Sequence, residues 1–109
     1  MLQKDKFNFY YLDYKTYFID VYCVYEDIDL LIKKETKALF SMLILALKLN
    51  IRLHLKNLNY IDLEYINIIL DFARDLREHD RTLIVSGAPL PLIRFLEKFH
   101  FDTILLIQE

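Results

Sequence analysis

Leu53-His54-Leu55-Lys56-Asn57-Leu58-Asn59-Tyr60-Ile61-Asp62 decides the fold. With Ile51-Arg52 ahead of it, apolar and polar residues alternate through Leu55, as in a strand that buries one face. Two asparagines then interrupt the pattern, which suits a loop. Beyond Asp62, the residues Ile66, Ile69, Leu70, Ala73 and Leu76 recur at helical spacing, while Asp71, Arg74, Asp75, Arg77 and Glu78 take the other side. Aspartate is a strong N-cap because its carboxylate accepts from the free amides of the first turn. The stretch therefore predicts a strand over Ile51–Leu55, a loop, and a helix from Asp62 to about Glu78.

Downstream, Thr82-Leu83-Ile84-Val85 is a short continuous apolar run, the kind buried within a parallel sheet, and Ser86-Gly87 closes it. Pro91 stands where a helix accepts proline, in the first turn. Leu92, Phe95, Leu96 and Phe99 follow at i, i+3, i+4 and i+7, so all four are expected to be buried on one face. Thr103–Ile107 reads as a last strand.

Upstream, Phe7–Leu12 and Tyr17–Tyr25 are rich in aromatic and β-branched residues and read as two strands around a turn at Asp13–Thr16. In the second, Tyr17, Ile19, Val21, Cys23 and Tyr25 share a face. After the acidic loop Glu26–Asp29, Thr36 is the expected cap of a helix over Ala38–Leu49. That segment is apolar on most sides but too short to span a bilayer, which takes about 20 residues. It reads as a buried helix, so membrane insertion is not expected. The order β-β-α-β-α-β-α-β, with right-handed crossovers, implies a mixed four- to five-stranded sheet with helices packed mainly on one face.

Composition narrows the function. The chain has 109 residues, room for one domain over 1–109, with 14 Lys and Arg against 16 Asp and Glu. Without a concentrated basic face, a nucleic-acid partner is not expected. One Gly rules out Gly-rich phosphate loops, and the lone Cys23 forms no internal disulfide. The first residues carry no signal-like apolar run, so a cytoplasmic location is expected. His54, His79, His100 and Cys23 lie far apart with no paired metal-ligand spacing, and Ser86 has no nucleophile-elbow context. Neither a catalytic residue, a metal nor a cofactor is expected. Apolar residues make up 55%, above the usual share, leaving apolar surface for a partner or for a second copy in a homodimer.

This element order, the 53–62 junction, the strand Thr82–Gly87, the Pro91–Phe99 helix and the final strand together resemble the STAS family, the sulphate-transporter and anti-sigma-factor-antagonist domain. The resemblance implies an α/β domain that binds proteins. It also implies an anti-sigma-factor or kinase-like partner. Alternatives are a cytoplasmic accessory subunit of an ABC-type or lipid transporter, and an α/β domain that binds a small ligand. In anti-sigma-factor antagonists the Asp is followed by a phosphorylatable Ser or Thr, a second small hydroxyl residue and Gly. Leu63, Glu64 and Tyr65 occupy those positions here, so the phosphate switch is absent at Leu63. His54 also stands where many members carry Asp. Glu64 either offers a fixed charge in place of phosphate or serves as a favourable first-turn residue.

Binding in such sheets concentrates at the carboxyl ends of the strands. The expected partner-binding surface therefore comprises Asn57, Asn59 and Tyr60 from one loop, and Asp62, Leu63 and Glu64 from the helix start. Ser86 and Leu90 join it from the next loop, and Tyr65 is a further aromatic candidate beside its alternative of packing on its own helix.

Overall fold

A computed structural model describes residues 7–46 and 48–108. Five strands form one sheet in the order β1-β2-β3-β4-β5: β1 Tyr10–Tyr14, β2 Phe18–Cys23, β3 Asn50–His54, β4 Leu83–Ser86 and β5 Leu106–Gln108. β1 and β2 pair as an antiparallel hairpin, and β2 to β5 run parallel. The parallel strands are joined by α1 Leu30–Ala46, α2 Leu63–Glu78 and α3 Leu90–Lys98. Sequential strand order with crossovers of one hand puts every helix on the same side of a sheet. The mixed sheet with one helical layer is thus the architecture the sequence implies.

Side-chain alternation sets the core. Ile19 of β2, Ile51 of β3 and Leu83 of β4 stand in register, as do Val21, Leu53 and Val85, and all six are buried. Leu39, Phe40 and Leu43 of α1, Ile69, Phe72 and Leu76 of α2, and Leu92 and Leu96 of α3 close over them. Phe40 and Phe72 stack at 3.9 Å where α1 meets α2. No helix among the described residues is long and apolar enough to cross a membrane.

Several boundaries differ from expectation. β1 starts at Tyr10 rather than residue 7, and Tyr17, expected in the second strand, is exposed in the hairpin turn. α1 begins at Leu30, not after Thr36, because Asp29 caps it by accepting from the Ile32 amide at 2.8 Å. Thr36 sits mid-helix with its hydroxyl donating to the Ile32 carbonyl at 2.7 Å. The strand expected over 103–107 divides into a 3₁₀ turn at Phe101–Thr103 and β5 at Leu106–Gln108, since His100 adopts a left-handed conformation that ends the helix. Leu92 and Leu96 are buried as the spacing predicts. Phe95 is only partly covered, and Phe99, just past the last turn, is exposed.

Candidate functional site

The carboxyl ends of β2, β3 and β4 and the N-termini of all three helices meet at one end of the sheet. Backbone hydrogen bonds knit their loops together. Asn59 N–H donates to the Glu26 carbonyl at 2.9 Å, and Leu55 N–H to the Ser86 carbonyl at 2.8 Å. The Asn57 amide donates to the Cys23 carbonyl at 3.3 Å. Gly87, at φ +67°, is needed for this closeness: a Cβ there would come within 3.2 Å of Lys56 Cβ and 3.3 Å of its Cα.

The first turn of α2 is held by charge. One Asp62 oxygen accepts from the Tyr65 amide at 2.9 Å, the N-cap bond the sequence predicts. Its other oxygen meets Lys33 Nζ at 2.5 Å, and the same ammonium donates to Glu64 at 2.8 Å. The hydrogen bond from Lys33 holds the Asp62 carboxyl below its ordinary value, and the two carboxylates raise Lys33. Glu64 is therefore part of a clasp between α1 and α2, which favours its structural reading over a free charge standing in for phosphate.

Behind this turn lies a cluster of buried hydroxyls. Tyr65 Oη is 2.9 Å from Tyr10 Oη and 2.8 Å from Tyr25 Oη, and Tyr10 is 2.5 Å from Tyr25 and 2.6 Å from Thr36. Thr36 uses its proton on Ile32, so Tyr10 donates to Thr36 and is an acceptor within the triangle it makes with Tyr25 and Tyr65. Burial pushes all three phenols up, keeping them neutral, and raises the Cys23 thiol, 3.8 Å from Tyr65, to about 11. The cluster ties α2 to β1, the end of β2 and α1. Tyr65 thus belongs to the core and not to the surface.

The other expected residues divide clearly. Asn59 and Tyr60 line a groove of about 250 Å³ with Ile61, Ile66, Pro89, Pro91, Leu92 and Phe95. Tyr60 itself is 67% exposed, Leu63 60% and Leu90 53%. Asp62 and Glu64 belong to the clasp, and Asn57 braces the loop. Ser86 is displaced from the expected surface: in register with His54 and Gln108, its side chain lies on the sheet face away from the helices.

Sequence reasoning missed Val24, Leu30 and Leu31, which are exposed at this same end. Six of the eleven exposed large hydrophobics among the described residues are gathered here: Val24, Leu30, Leu31, Tyr60, Leu63 and Leu90. The adjacent Leu30-Leu31 pair, directly after an acidic loop, was the available signal.

A scan against protein-family models finds no match, and a search of the curated proteins finds none. Solved structures do match. The anti-sigma factor antagonist SpoIIAA in its unphosphorylated form aligns at a TM-score of 0.69 and 15% identity, over 87% of this chain and 96% of that one. The phosphorylated form of SpoIIAA, a Bacillus cell fate determinant, gives 0.73 and 13%, over 90% and 89%. A Thermotoga maritima protein classed as an anti-sigma factor antagonist gives 0.73 and 15%, over 94% and 87%. At such low identity the likeness speaks to architecture, and the architecture of this chain is the STAS fold.

Proposed function

We propose that this chain is a non-catalytic regulatory module that acts by docking onto a protein, as the anti-sigma factor antagonists sharing its fold would suggest. The observation that carries this reading is the crowding of exposed apolar side chains around one end of the sheet, beside an apolar groove. Scattered surface hydrophobics are ordinary, whereas a contiguous group marks an interaction site. At about 250 Å³ the groove is small for a small-ligand pocket, which typically encloses about 300–1,000 Å³. The module works without a phosphate on residues 57–67, a window with no Ser or Thr. Its partner is an anti-sigma-factor or kinase-like protein, or a transporter subunit, and the identity of the captured protein separates the two.

An apolar anchor at the centre of an interface contributes about 2 kcal/mol. Leu63→Asp is expected to weaken partner binding at least tenfold, about 1.4 kcal/mol. The melting temperature should barely change, because Leu63 is exposed at the first position of α2. Affinity and melting temperature measured on the same preparation check this. Unchanged affinity with an intact fold would place docking elsewhere.

A further inference from the structure

The end of the sheet that gathers the exposed apolar side chains is also its acidic end. It comprises the loops 24–29, 55–62 and 87–89 and the first turn of each helix. Five carboxylates (Glu26, Asp27, Asp29, Asp62 and Glu64) stand there against two ammoniums (Lys33 and Lys56), a net of −3. The whole chain carries −2, so this end holds more negative charge than the molecule in total. The charge is interleaved with the apolar residues. Glu26, Asp27 and Asp29, all exposed, lie in sequence between exposed Val24 and the exposed pair Leu30-Leu31. The hydrogen bond from Asn59 N–H to the Glu26 carbonyl sets that loop beside Tyr60.

Three of the five carboxylates are accounted for by the helices. Asp29 accepts from the Ile32 amide, Asp62 accepts from the Tyr65 amide, and Lys33 holds Asp62 and Glu64 together. Glu26 and Asp27 are not. They precede Leu30, the first residue of α1, by four and three positions, whereas a helix dipole acts only within about its first turn. Neither side chain makes a hydrogen bond or an ion pair among the described residues. A metal ion does not answer for them either, because no three His, Cys, Asp or Glu among the described residues are placed to hold one. Two uncompensated charges at the rim of an apolar surface select a partner by sign.

Given docking at this end, as proposed above, we infer that the partner presents an apolar centre ringed by Lys and Arg, with its cations facing Glu26 and Asp27. A nucleic acid, an anionic lipid surface and an acidic protein are all repelled by this end. Rim charges act mostly on the rate of encounter, and salt screens them. Apolar contacts act mostly on how long the complex lasts. The two contributions therefore separate in kinetics.

The protein trapped in the native host by a photo-crosslinker at Leu63, once purified, is the binding partner for the test, and its rates are measured with the full chain. Glu26→Lys combined with Asp27→Lys should slow association about tenfold at about 0.02 M salt, and at about 0.5 M the variant should converge on the wild type. Glu26→Gln combined with Asp27→Asn should fall between them. Circular dichroism should not change, because both positions are exposed. Leu63→Ala should instead speed dissociation. If it does so while association is the same in every charge variant, docking stands and the basic partner is overturned. Association that quickens in the lysine variant overturns it as well, since the partner is then acidic. If Leu63→Ala changes nothing, or the crosslinker at Leu63 traps no protein, the docking site falls and the basic partner with it.

Discussion

Tyr65→Ala is expected to destabilise the protein by about 4 kcal/mol, the range for deleting a large buried aromatic side chain. Tyr65 is fully buried, and its ring and hydroxyl serve separate ends. The ring fills the space between the first turn of α2 and the hairpin strands. The hydroxyl bonds to Tyr10 and Tyr25, and through Tyr10 the network reaches Thr36. Tyr65→Phe keeps the ring and strips the hydroxyl, leaving Tyr10 and Tyr25 each without one of their partners, and should cost about 1–2 kcal/mol. Domains of this size hold about 5–15 kcal/mol, so the alanine variant uses up much of the margin. Urea unfolding followed by circular dichroism gives both values. If the alanine change costs under about 1 kcal/mol, the cluster does not brace α2 and the site would need another support.

The second large effect is at Arg81, which is 4% exposed and points into the end of α1. Its Nε donates to the Leu49 carbonyl at 2.9 Å, Nη1 to Ile44 at 3.1 Å and Nη2 to Leu43 at 3.0 Å. A helix leaves its last carbonyls without partners, and here a residue from the loop between α2 and β4 supplies them. Burial lowers the guanidinium's pKa. Arg81→Leu should cost about 3 kcal/mol, since hydrogen bonds from a charged donor are worth about 1.5–3 kcal/mol and three acceptors are left bare. Arg81→Lys should recover only part, because an ammonium lacks the planar fork that reaches three carbonyls. Amide exchange in the last turns of α1 should quicken in the leucine variant. Unaltered exchange and stability would assign the cap to other groups.

What the chain revealed before its fold was described depended on how local each signal was. Strand β3 and helix α2 were legible because Leu53 and Leu55 alternate and Asp62 caps its own helix three residues on. The start of α1 was misread because two residues, Asp29 and Thr36, both qualify as caps, and only the neighbours decide between them. Thr36 is taken by Tyr10, from a strand 26 residues away. The residues flanking Asp62 show the same limit. Tyr60 and Tyr65 look alike in composition, but Tyr65 is in helical phase with Ile69, Phe72 and Leu76 and so is buried, whereas Tyr60 is exposed. That phase was available in the sequence. The role of Tyr65 as a hydroxyl bridge was not, because its partners Tyr10 and Tyr25 are 55 and 40 residues away. The clasp of Lys33 on Asp62 and Glu64 is likewise a contact between two helices, invisible to any short-range pattern.

A photo-crosslinking residue placed at single positions tests most directly whether a protein docks at the end of the sheet where Leu63 and Leu90 are exposed. Leu45 is the control: it is exposed too, but α1 runs from that end to the far one and carries Leu45 in its last turn. Crosslinkers at Leu63 and at Leu90, used in the native host, should trap the same protein, and a crosslinker at Leu45 should not trap it. Adducts with a common protein from Leu45 alone, or equally from all three positions, would contradict the account.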